Sequence, residues 1–251
     1  MPRPDHVVVV VLENHSYAEV IGNPQAPFIN SLAAAGAVFT QSFALTHPSE
    51  PNYLALFSGA TQGVTDDSCP HTFVTANLAR ALLDAGDTFA GYSDGLPAPG
   101  FTGCSNGSYA RKHNPWVNFS NVPASVNQPF TAFPTAYTSL PTVSFVIPDL
   151  DHDMHDGTVA ESDAWLRAHL AGYAAWAQAH HSLLVLTWDE DDSSQDNQIP
   201  TVVAGGSVKA GRYGERVDHY RLLRTIEDAY ALKAIGASAT TTPITSIWTA
   251  R

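Results

Sequence analysis

Short apolar runs bounded by turn residues set the rhythm of this chain: Val7–Leu12, Thr88–Tyr92, Thr142–Ile147, Leu183–Thr187 and Thr201–Ala204. Val, Ile and Leu fill consecutive positions in them, with no strict apolar–polar alternation. That is the pattern of parallel strands covered on both faces. Helical stretches fall between the runs. Pro27–Ala37 has Gly36 near its C-terminal cap, and Thr75–Ala85 sets Leu78, Leu82 and Leu83 on one side before Gly86. From Ser162 to His181, Leu166, Leu170, Tyr173 and Ala177 form one apolar stripe, and His219 to Leu232 repeats it with Leu222, Leu223, Ile226 and Tyr230. Strand and helix in alternation predict an α/β fold: a doubly wound, mostly parallel central sheet with helices on both faces. Residues 95–138 break the rhythm. They are rich in Pro, Asn, Gly, Ser and aromatics without a period, and read as a long excursion over the active-site face.

Composition narrows the class. At 251 residues and 44% hydrophobic content, the chain can bury one sizeable core, so a single domain over 1–251 is expected. A net charge of −12 argues against nucleic-acid partners and against electrostatic docking on anionic membranes. The run His6–Leu12 is far too short to span a bilayer. Two cysteines, Cys69 and Cys104, lie in turn-like sequence without zinc-site spacing. They read either as a bridge between loops or as two buried thiols. A bridge, together with the low Lys content, points to a secreted or periplasmic protein. No signal peptide is visible, and Met1-Pro2-Arg3-Pro4 reads as the start of a mature form.

The candidate chemistry sits at the ends of the apolar runs. Leu183–Thr187 leads through Trp188 into Asp189-Glu190-Asp191-Asp192, and Val7–Leu12 leads into Glu13-Asn14-His15-Ser16. Open α/β sheets bind ligands at the carboxyl edge of their strands. Carboxylates gathered there repel one another unless a cation neutralises them, so a metal site is expected. Thr142–Ile147 ends in Pro148-Asp149-Leu150-Asp151-His152-Asp153-Met154-His155-Asp156-Gly157, with six ionisable groups in eight positions. That density points to further ligands, against the plainer reading of a polar turn. Thr46-His47-Pro48-Ser49-Glu50-Pro51-Asn52-Tyr53 places a hydroxyl at the start of a helix. There it can serve as a nucleophile, favoured by unpaired N–H groups and the helix dipole, or simply as a cap.

These segments, ENHSY (13–17), THPSEPNYLALFSG (46–59), RKHNPW (111–116), DMHDG (153–157), TWDED (187–191) and DHYRLLRTIED (218–228), resemble in order the bacterial phosphoesterase family. That family contains secreted acid phosphatases and non-specific phospholipases C and belongs to the alkaline phosphatase superfamily. The resemblance spans nearly the whole chain, is closest to the compact acid-phosphatase branch, and implies an alkaline-phosphatase-like fold. It implies one or two divalent metal ions (Ca, Mg, Mn, Zn or Fe). Glu13, Asn14, Ser49, Asp189 and Glu190 would be ligands, Glu190 standing where the superfamily more often has His or Asp. Ser49 would be the nucleophile and Asn52 its support at the phosphoryl oxygens. Asp153, His155 and His219 would hold a second metal or bind phosphate directly. Lys112, His113 and His47 would face the substrate.

The sequence therefore predicts a metal-dependent phosphomonoesterase of the acid-phosphatase type. Ser49 would form a phosphoserine, which water activated by a second metal or by His155 then hydrolyses. The expected substrate is a small phosphate ester, with a phospholipid or phosphoinositide among the candidates. One alternative is a phospholipase C or other phosphodiesterase, for which Trp116, Phe119, Phe130 and Phe133 would supply an apolar ledge. Another is a non-catalytic, calcium-stabilised binding domain.

Overall fold

The computed structural model describes residues 1–249. Its strands are β1 (His6–Leu12), β2 (Ala37–Phe43), β3 (Phe89–Ser93), β4 (Ser105–Asn106), β5 (Tyr109–Ala110), β6 (Asn127–Pro129), β7 (Val143–Ile147), β8 (Ser182–Trp188), β9 (Thr201–Ala204) and β10 (Gly211–Asp218). Its α-helices are α1 (Tyr17–Val20), α2 (Pro27–Ala35), α3 (Ser49–Ser58), α4 (Leu78–Asp84), α5 (Val159–Ala179) and α6 (His219–Ala229). Eight strands form one sheet in the order β10-β2-β9-β8-β1-β7-β3-β6, and β4 and β5 make a separate small hairpin. All pairings in the large sheet are parallel except those of β9, which runs antiparallel to both β2 and β8. The expected doubly wound α/β sheet is present.

Strand β1 shows why its sequence reads as one apolar block. Alternate residues face opposite cores, Val7, Val9 and Val11 to one side and Val8, Val10 and Leu12 to the other. The first core is closed by α3, α4 and α6 through Leu54, Phe57, Leu82, Leu223 and Ile226. The second is closed by α2 and α5 through Ile29, Leu32, Leu166, Leu170 and Tyr173. Each fully buried aliphatic side chain of this kind contributes roughly 1.5–3 kcal/mol, which commits β1 to the centre of the sheet.

The excursion at 95–138 is not structureless. It holds the β4–β5 hairpin, 3-10 turns at Arg111–His113, Pro115–Asn118, Ala124–Val126, Phe130–Ala132 and Tyr137–Ser139, and edge strand β6. Only part of it approaches the carboxyl edge. Trp116 and Phe119 are buried among Phe57, Phe89 and Phe145, and the Trp116 indole N–H donates to Asn127. Phe130 and Phe133 pack against Trp165, Tyr92 and Tyr173. The expected apolar ledge is thus not formed: two of its rings are core, and the other two pack onto α5 and β3. Cys69 and Cys104 form a disulfide that ties the excursion to the segment after α3.

Candidate active site

Strands β1 and β8 are neighbours, so their C-terminal ends deliver Glu13 and Asp189 side by side. Backbone bonds fix the register: Asp189 N–H donates to the Leu12 carbonyl at 2.9 Å, and Glu13 N–H to the Asp153 carbonyl at 2.8 Å. Asn14, in the left-handed region at φ 47°, donates its N–H to Asp189 Oδ1 at 3.3 Å. The loop after β7 closes at Gly157, where a Cβ would overlap the Asp151 carbonyl oxygen. That closure folds the loop back and places Asp153 beneath Glu13.

Ser49 opens α3 and is buried. Pro48 holds the N-cap position, so Ser49 is the first helical residue, and its hydroxyl donates to Glu13 Oε2 at 2.9 Å. The capping alternative raised by the sequence therefore gives way to a serine turned toward a carboxylate. Tyr53, one turn along the same helix face, donates its hydroxyl to Glu13 Oε1.

Four acidic side chains, Glu13, Asp153, Asp189 and Glu190, are all at most 6% exposed. Burial, then the charges of Asp189 and Asp153, push the Glu13 carboxyl well above the usual range. Burial pushes Asp153 up to about 8 and Asp189 to about 8, the latter tempered by the Ser49 hydroxyl. Glu190 rises to about 8, through burial and then the charge of Asp189. Asp189 Oδ2, Asp153 Oδ2 and His113 Nε2 are buried without hydrogen-bond partners. Glu13, His113 and Asp153 bring one ligand atom each to within 4.8 Å of one another. The end of the Asn14 amide lies 3.2 Å from both Glu13 Oε2 and Glu190 Oε1. A nitrogen there donates to both carboxylates and ties Asn14 to the acidic cluster. The donor set of buried carboxylates, an amide and one imidazole fits a hard or borderline divalent metal.

The other residues expected at the site divide by position. His47 stands at the mouth, its Nδ1 2.9 Å from Glu190 Oε2 and its Nε2 3.2 Å from Asp191 Oδ1. Lys112 Nζ lies 2.8 Å from Asp67 Oδ2, and both Glu13 and Asp189 act on it electrostatically. His113 does not fit the expected phosphate-facing cation. It is buried between Glu13 and Asp153, stacked on Tyr53, and burial pushes its pKa well below the imidazole range. The Asn52 amide orders the turn before Ser49, accepting from Leu45 and Thr46 N–H and donating to the Thr46 carbonyl, and its Nδ2 also reaches Glu190 Oε2 at 3.4 Å. His155 bonds Asp156, and its backbone N–H donates to Asp153 Oδ1. His219 does not join the Glu13–His113–Asp153 group. Its Nε2–H donates to the Asp189 backbone carbonyl at 2.7 Å and so braces that turn. Asp191 is spent on its own loop, accepting from the N–H groups of Ser193, Gln195 and Asn197. Sequence reasoning missed Tyr53, which the i, i+4 spacing from Ser49 would have found, and Asp67, for which no local signal exists.

Known proteins resemble the chain in sequence and in fold. Residues 23–233 match the model of the Phosphoesterase family. The chain is 57% identical to a phosphatidylinositol-3-phosphatase of Mycobacterium tuberculosis, over 99% of this chain and 84% of that protein. It is 30% identical to an acid phosphatase of Aspergillus fumigatus, over 90% of this chain and 55% of the longer fungal protein. A protein of the alkaline phosphatase superfamily from Vibrio parahaemolyticus has the same fold, with a TM-score of 0.65 at 11% identity, covering 98% of this chain and 71% of its own. The chain belongs to the Phosphoesterase family and is a phosphoric ester hydrolase.

Proposed function

We propose that the protein is a metal-dependent phosphomonoesterase in which Ser49 is the nucleophile. The observation that carries this reading is the Ser49 hydroxyl, which at the first position of its helix donates to buried Glu13. Glu13, Asn14, Asp189 and Glu190 would hold the cation beside Ser49, with His113 and Asp153 offering a second position that shares Glu13. When bound, the metal supplies the positive charge that neutralises these carboxylates and favours an ionised hydroxyl. Ser49 Oγ attacks phosphorus as its proton passes toward Glu13 Oε2; the O–P bond forms, the bond to the alcohol breaks, and His47 at the mouth protonates the departing oxygen. Lys112 and the N-terminus of α3 offset charge on the phosphoryl oxygens, where most catalysis of this transfer resides. Water, its proton taken by His155, then attacks phosphorus; the bond from phosphorus to Ser49 Oγ breaks, Glu13 returns the proton to Oγ, and phosphate leaves.

The substrate proposed is a phosphate monoester, with a phosphoinositide headgroup favoured by the mycobacterial relative's name. Secretion or a periplasmic location is proposed on the strength of the disulfide. The test is turnover of p-nitrophenyl phosphate against its bis ester from about pH 4 to 9, spanning the carboxylate and histidine ranges, with and without chelator. Chelator-sensitive monoester hydrolysis that Ser49→Ala abolishes supports the reading. Activity that survives both treatments overturns it.

A further inference from the structure

Lys112 carries its ammonium on a flexible stem, which needs an anchor to hold one direction. Its Nζ is 2.8 Å from Asp67 Oδ2. Asp67 is itself fixed, because its other oxygen accepts the Glu50 N–H at 2.9 Å, in the first turn of α3 and directly after Ser49. One carboxylate thus spans the serine's helix and the lysine's loop. The same two loops are fastened again by the Cys69–Cys104 bridge and by Arg111, which donates to the His71 carbonyl at 3.1 Å. Asp67 and Lys112 are 28% and 19% exposed, so the pair adds little to stability. An acidic side chain beside an anionic substrate is unfavourable unless it does something else, and here it sets where the ammonium points.

We propose that Asp67 is a positioning residue that fixes the Lys112 ammonium relative to Ser49, so that it faces the transferred phosphoryl group. This rests on the phosphomonoesterase reading above. Asp67→Asn keeps an acceptor for the Glu50 N–H while removing the charge that anchors Lys112.

The test is a double-mutant cycle on the intact chain: wild type, Asp67→Asn, Lys112→Met and the pair. The readouts are KM and kcat for p-nitrophenyl phosphate, inorganic phosphate affinity by calorimetry, and melting temperature. Each single substitution is expected to raise KM about tenfold with a smaller change in kcat, and the pair should be no worse than Lys112→Met alone. Asp67→Glu, which restores the charge, should recover part of the loss. A wild-type KM in Asp67→Asn, or the same loss again in the Lys112→Met background, overturns the proposal. An unchanged KM in Lys112→Met also overturns it while leaving the phosphatase reading intact. Absence of monoester turnover in wild type overturns the phosphatase reading instead. The phosphate-affinity cycle then decides this one: non-additive losses keep it and additive or absent losses reject it.

Discussion

The Tyr53 hydroxyl is held to one use. Burial and the charge of Glu13 push its pKa well up, so it remains a donor to Glu13 at any working pH. Tyr53→Phe removes that donor and leaves a buried carboxylate oxygen facing a ring edge. In metal-free protein it should cost about 1–3 kcal/mol, read from urea unfolding, and divalent metal should recover part of the loss. An unchanged midpoint would mean that Glu13 finds another partner. Much of the site was legible at this scale: Glu13 and Asp189 close apolar strands, Asp153 lies in the acidic loop after a third, and Ser49 opens a helix. The depth of His113 was not, because it arrives on a 3-10 turn inside an aperiodic segment and is sorted only by packing against Tyr53. Asp67 was illegible because its meaning depends on Lys112, and those two loops meet only through the tertiary fold.

Among the elements, the buried strands were readable and the sheet's far edge was not. Strand β2 (AVFTQSF) turns polar halfway, and β10 (GRYGERVD) is a mostly exposed edge strand, so neither forms an apolar run. Strand β9 was found, but an apolar run carries no direction, and its antiparallel course comes from tertiary pairing. Helix α5 begins at Val159, earlier than its apolar stripe suggests, because Thr158 and Glu161 form a reciprocal capping box. Thr158→Ala should cost roughly 1 kcal/mol, checked by urea denaturation, with little effect on activity. Replacing both Cys69 and Cys104 by Ser frees a loop closed over a separation of 35 residues. A loop of that length predicts a loss of roughly 4 kcal/mol, measurable as a lower unfolding midpoint.

For the whole molecule, the buried carboxylates make stability a function of pH and metal together. Asp153, Asp189 and Glu190 are each pushed up to about 8 in the fold, while unfolded carboxyls titrate near about 4. Between those values the metal-free fold binds more protons than the unfolded chain, so its stability falls as pH rises. With chelator present, the melting temperature should be higher near pH 5 than near pH 8 at the cost of one proton per buried acid. Saturating divalent cation should flatten that slope, and a flat profile in chelator would show that the acids are already compensated by the protein. The Cys69–Cys104 link has its own consequence at this scale. In a reducing compartment the lysine's loop would lose that covalent fastening to the Asp67 loop, so turnover should fall on treatment with dithiothreitol and return on reoxidation. A hydrolase built this way would have its turnover set by the redox state of its surroundings, full where the bridge is oxidised and subdued where it is reduced.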